Sequence, residues 1–137
     1  MATMDEIGRF VGAVVHCVVA VCEIENGVVD PNPEGYELLL GEGRSVAVTT
    51  GTDWTLRVED GTWPSLPTWA WPPESWTYVD VDVPLGTPET SVVEDVELLR
   101  DEVGETGGLR VDFELARLVI RAGEFVSLRW HRDKTAE

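Results

Sequence analysis

Short β-prone runs, each closed by a turn rich in glycine or asparagine, follow one another through most of the chain. Residues 76–83 show this most plainly, because every second residue there is Thr or Val. A period of two places alternate side chains on opposite faces of a strand, so we expect this Thr/Val face to point into a core. Turn signals at 25–27 and 41–43 mark the ends of other strands. The pattern predicts a mainly β protein.

Two segments, 35–58 and 108–130, share one order of strand, tight turn, strand, turn and strand. Their apolar positions align with a one-residue gap: Tyr36, Leu38, Leu40, Val46 and Val48 match Leu109, Val111, Phe113, Leu118 and Ile120. A duplicated unit would produce this likeness, and so would two independent meanders. Both interpretations predict two similar antiparallel meanders of three to four strands, packed as a sandwich or a split barrel.

The length of 137 residues suits a single domain, 1–137, and a hydrophobic content of 43% can supply its core. We place the two similar units at about 9–61 and 90–130, with a frayed polar tail at 131–137. Residues 91–103 allow one short helix, because Val92, Val96 and Leu99 fall at helical spacing. A strand there would precede the second meander as an earlier strand precedes the first, and we therefore favour a strand.

The net charge of −16, from 26 acidic and 10 basic residues, limits the possible partners. Contact with nucleic acid or with an anionic membrane surface needs Lys and Arg, so we expect neither partner. The charge favours a basic protein partner. Acidity is densest between Glu89 and Glu105, where Arg100 alone opposes it. The expected partner-binding carboxylates are Glu94, Asp95, Glu97, Asp101 and Glu102.

Residues 62–76, which we name the Trp/Pro loop, contain four tryptophans and four prolines. The prolines exclude a helix interior or a central strand, so the segment is expected to be a long ordered loop. Trp69 and Trp71 are the candidate partner-binding aromatics in it, because exposed rings on a stiff loop lose little entropy on binding. The other interpretation, which we favour, is that the rings of the loop close one end of the sandwich and leave one tryptophan, Trp69 or Trp71, partly exposed.

The chain contains residue types that can catalyse reactions, but their spacing in the sequence does not fit a catalytic site. His16 and Cys17 are neighbours on a predicted strand and would point to opposite faces, so they cannot form a dyad. Two cysteines are too few for a zinc quartet, and Asp80 with Asp82 is a coincidence expected among so many acids. We therefore expect a protein that is not an enzyme, with no catalytic residue, no metal and no cofactor.

The apolar run 10–22 is too short to span a bilayer and follows two acidic residues, so a cytoplasmic location is expected. The leading functional hypothesis is an acidic cytoplasmic protein-binding module. Bacterial immunity proteins and antitoxins that inhibit a basic partner have such a composition. The alternative is a β-sandwich that binds a carbohydrate or another small ligand through the Trp/Pro loop.

Overall fold

The computed structural model describes residues 4–51 and 53–133. A short helix, α1 (Met4–Ile7), and a 3-10 turn (Gly8–Phe10) precede the first strand, and a second 3-10 turn (Pro73–Ser75) precedes β6. The strands are β1 (Val15–Glu25), β2 (Val28–Val29), β3 (Gly35–Leu40), β4 (Ser45–Thr50), β5 (Leu56–Asp60), β6 (Trp76–Asp80), β7 (Asp95–Arg100), β8 (Thr106–Asp112), β9 (Arg117–Arg121) and β10 (Ser127–His131).

The strands form two antiparallel sheets that enclose one core. In the first sheet β1, β3, β4 and β5 are neighbours in that order, and β6 pairs with the other edge of β1. The two-residue β2 pairs with the end of β1 across a tight turn at Asn26 and Gly27, whose φ angles of 54° and 76° are both positive. The second sheet has the order β10, β9, β8, β7. The predicted all-β sandwich is confirmed.

The two predicted meanders are also confirmed. Strands β3, β4 and β5 repeat the order of β8, β9 and β10, and each set is preceded by a strand that pairs with its first member. The ten aligned apolar residues are buried in the shared core. The β3–β4 turn uses positive φ at Glu42 and Gly43, in agreement with the turn signal at 41–43.

Residues 91–103 contain a strand, so the helical alternative for this segment is wrong. Val96 and Leu98 of β7 face the core while the residues between them face outward, because pairing with β8 imposes a period of two. Just before β7, the N–H of Val93 donates to the carbonyl of Ala13 at 2.8 Å. Val92 also bridges to Val14. The chain thus passes from the edge of the first sheet into the second.

The core combines side chains from both sheets with Ile7 of α1, which is fully buried. Val81 and Val83 pack against this core as the alternation predicts, whereas Val79 on the edge strand β6 stays 38% exposed. His131, the first residue of the predicted frayed tail, belongs to β10, and residues 134–137 of that tail lie outside the described part. Within 4–51 and 53–133, no helix is long and apolar enough to cross a membrane.

Candidate functional site

A buried carboxylate holds the Trp/Pro loop on the outer face of the first sheet. Glu37 lies on β3 between two core-facing residues and is only 1% exposed. Its Oε1 accepts hydrogen bonds from the Ser45 hydroxyl at 2.8 Å and from the backbone N–H groups of Thr62 and Trp63, both at 3.1 Å. The Tyr78 hydroxyl donates to its Oε2. A buried carboxylate needs such donors, because its desolvation is otherwise very costly.

The chain approaches Glu37 closely because residue 61 is a glycine. A Cβ at Gly61 would lie 2.3 Å from the Glu37 Oε1 and 2.2 Å from the Ser45 Oγ. The ring of Trp63, the first tryptophan of the loop, packs against Tyr78 on β6, with the two ring centroids 4.8 Å apart. Burial, followed by the hydrogen bond to Glu37, raises the pKa of Tyr78 far above its usual value. The phenol therefore stays neutral and donates hydrogen bonds that help to hold the loop on the sheet.

The four tryptophans of the loop divide into two half-buried and two exposed rings. Trp69 meets Trp76 edge to face, with centroids 5.4 Å apart and an angle of 88° between the planes. The indole N–H of Trp76 donates to the carbonyl of Trp71 at 3.4 Å. Trp69 and Trp71 nevertheless remain 41% and 75% exposed. Trp63 and Trp76 are instead half-buried.

A groove of about 290 Å³ runs beside the exposed face of Trp69. Its walls come from the loop before β3, the end of β4 and the start of β5. The lining residues are Glu34, Thr49, Thr50, Gly51, Arg57 and Trp69.

Carboxylates without an ion-pair partner surround the loop. Glu23 lies opposite Trp76 in the β1–β6 pair, Glu34 lines the groove, Glu74 follows the Trp71–Pro72 step, and Asp80 ends β6. All four are exposed, and within the described residues none forms a salt bridge. The sequence has no Lys or Arg between Arg57 and Arg100. This side of the molecule therefore has a negative field with little internal compensation.

The predicted acidic segment is arranged differently. Arg110 on β8 reaches across to Asp95 at 2.7 Å and to Glu97 at 3.2 Å, both on β7. Asp101 accepts the backbone N–H groups of residues 103 and 105 and so shapes the β7–β8 turn. Glu94 and Glu102 are exposed. Asp95, Glu97 and Asp101 are thus among the predicted carboxylates that have structural partners within the chain.

The structure does not bring the seven predicted site residues together. Asp95 and Glu97 lie on the outer face of the second sheet, whereas Trp69 and Trp71 lie on the loop that covers the outer face of the first. The outer faces of a two-sheet sandwich point in opposite directions. The predicted residues therefore form two separate surfaces.

Residues considered for catalysis show no activated group. Burial, and after it the charge of Asp80, raises the pKa of the Cys17 thiol, and burial does the same for Cys22. A raised pKa leaves a thiol protonated and weakly nucleophilic. His16 and the pair Asp80 and Asp82 are exposed. Among the residues that the structure describes, no three His, Cys, Asp or Glu side chains are placed to hold a metal.

Sequence reasoning missed Glu37 and the groove. A signal for Glu37 was available, because it is the one charged residue in the apolar run 35–41. Such a residue at a position flanked by core side chains is expected to have a fixed partner. The groove had no such signal, since Thr49 and Arg57 meet Trp69 only through tertiary packing.

Comparison of the chain with protein-family models, with curated proteins and with solved structures finds no match.

Proposed function

We propose that this protein is a binding module that captures a basic protein partner on the surface of its Trp/Pro loop. One observation supports this most directly: Trp69 and Trp71 stand exposed on a loop that the buried Glu37 cluster fixes to the sheet. Aromatic side chains are enriched among residues that dominate binding energy at interfaces. A ring already held in place loses little conformational entropy when a partner binds.

Charge favours a basic partner at this surface. The carboxylates Glu23, Glu34, Glu74 and Asp80 attract Lys and Arg side chains and speed the encounter with them. A guanidinium that arrives there can also stack on an indole face, which is the strongest aromatic partner of a cation. The β7 surface supports such a role less well, because the single positive charge of Arg110 offsets part of the charge of Asp95 and Glu97. A module that covers a basic cleft would act as an inhibitor, as immunity proteins and antitoxins do.

The proposal can be tested with a short arginine-rich peptide as the probe, by tryptophan fluorescence and by stopped-flow mixing over a range of salt concentrations. We expect saturable binding with an association rate that falls steeply as salt rises. Trp71→Ala and the double variant Glu74→Gln/Asp80→Asn should each weaken binding about tenfold. A lysine-rich peptide should bind less tightly than the arginine-rich one, because guanidinium stacks better on an indole ring.

Two control variants separate this surface from others. Trp54→Ala removes another exposed tryptophan, 62% accessible, that lies in the β4–β5 turn outside the loop. Asp95→Asn/Glu97→Gln removes the charges on β7. Both controls should bind the peptide as the unmodified protein does. An equal loss in Asp95→Asn/Glu97→Gln would mean that the peptide responds only to overall charge, and an equal loss in Trp54→Ala would mean that it binds exposed indole rings wherever they lie. Either result would reject the proposed surface.

A further inference from the structure

The groove beside Trp69 combines groups that suit an uncharged ligand rich in hydroxyls. Trp69 contributes an apolar ring face to the groove, and Thr49 contributes a hydroxyl group. The carboxylate of Glu34 can accept hydrogen bonds, and the guanidinium of Arg57 can donate several. Its lining holds one carboxylate and one guanidinium, so the groove is neutral within a protein of net charge −16. A ligand of either charge would meet one opposing and one like group, whereas hydroxyls can bond to both.

Two glycines leave room for side chains of the groove. A Cβ at Gly51 would lie 3.0 Å from Nε and Nη2 of Arg57 and from Oδ1 of Asp53, so both side chains approach bare backbone. A Cβ at Gly35 would lie 2.8 Å from Cγ2 of Thr49. The edge-to-face contact with Trp76 orients the third wall, the ring of Trp69. Preorganised groups of this kind reduce the cost of binding a weakly held ligand.

The outward-facing pair of β4 and β5 offers polar groups to the groove. Thr49 is paired with Arg57 across the two strands, so both side chains lie on the face that carries the loop, whereas Thr50 is paired with the buried Leu56 on the core face. The volume of about 290 Å³ is at the lower end of ligand pockets and fits one ring unit.

We propose that this groove binds one neutral sugar or cyclic polyol ring, stacked on Trp69 and hydrogen-bonded by Thr49, Glu34 and Arg57. The groove shares Trp69 and Glu34 with the proposed protein-binding surface, but the inference does not require a protein partner, because Trp71 and the carboxylates at 74 and 80 play no part in it.

The test titrates the full chain with glucose, galactose, mannose and myo-inositol and follows tryptophan fluorescence and binding heat. At least one of these neutral probes should saturate with a Kd of about 1 mM. The amino and carboxylate analogues of the sugar that binds should bind less tightly. Trp69→Ala and Arg57→Met should each weaken binding about tenfold, and Thr49→Val about threefold.

Trp71→Ala and Trp54→Ala are the matched controls and should leave the affinity for the sugar unchanged. Gly51→Ala gives a second readout, because it displaces the Arg57 guanidinium while keeping every polar group, and it should weaken binding as Arg57→Met does. The inference is overturned if none of the four probes saturates, if a charged analogue binds more tightly, or if the Trp69 and Arg57 variants bind like the controls. Because arginine-peptide binding is tested through Trp71, either proposal can fail while the other stands.

Discussion

Replacing Glu37 by Ala removes the acceptor that holds four donors at the junction of β3, β4, β6 and the loop. The hydroxyl of Ser45 and the N–H groups of Thr62 and Trp63 would lose their partner, and Tyr78 would keep only the carbonyl of Ser65 at 2.8 Å. A buried donor left unmatched costs about 1–3 kcal/mol. Part of this is recovered, because the loop can shift and expose its N–H groups to water. We expect a loss of about 3–4 kcal/mol in the free energy of unfolding.

The isosteric change Glu37→Gln should cost only about 1 kcal/mol. The amide oxygen can keep the three donors now bound by Oε1, and the amide N–H can donate to the Tyr78 oxygen. Tyr78 can then turn its own proton to the Ser65 carbonyl. Only the extra strength of hydrogen bonds to a charged acceptor would be lost.

Urea unfolding of the three proteins measures both effects, and near-ultraviolet circular dichroism reports whether the loop tryptophans keep their packing. Glu37→Ala should lose much of the tryptophan signal, while Glu37→Gln should retain it. The reasoning is refuted if Glu37→Ala unfolds within 1 kcal/mol of the unmodified protein, or if Gln destabilises as much as Ala.

Two further predictions concern titration and the second sheet. Burial raises the pKa of both tyrosines of the chain, Tyr36 and Tyr78, so the folded state binds their protons more tightly than the unfolded state does. The stability that these two tyrosines contribute is fully present below about pH 10 and is lost as the pH rises above it. Phenolate absorbance should therefore appear together with unfolding. Titration of either tyrosine at about pH 10 in the folded protein would contradict this. Arg110→Ala leaves Asp95, Glu97 and Asp112 without this guanidinium. It should lower the free energy of unfolding by about 1 kcal/mol, with a smaller loss at high salt, because Asp95 and Glu97 are largely exposed. An unchanged free energy of unfolding at low salt would show that the network contributes little.

The fold class could be predicted because its signal is local. Strand alternation and turns such as Asn26–Gly27 are visible within a few residues, and the two meanders follow from them. Residues 91–103 were ambiguous, since their apolar spacing fits both periods. Pairing with β8, a contact with a later segment, decides the outcome.

The site could be predicted only in part, because its contacts join distant segments. The loop follows from its prolines, but composition does not show which of its tryptophans are exposed, and the anchor joins residue 37 to residues 62, 63 and 78. The high density of acidic residues around β7 can be seen in the sequence. Its compensation by Arg110 depends on strand register, which composition does not reveal.

The residues that anchor the Trp/Pro loop differ from the residue whose side chain is most exposed on it. Its fixed points are the carboxylate of Glu37, the glycine at 61 and the phenol of Tyr78. The contact at residue 71 uses the backbone carbonyl, so any side chain there leaves it intact. In the proposed binding surface, residue 71 is therefore a position where substitution can change the chemistry offered to a partner while stability stays nearly constant.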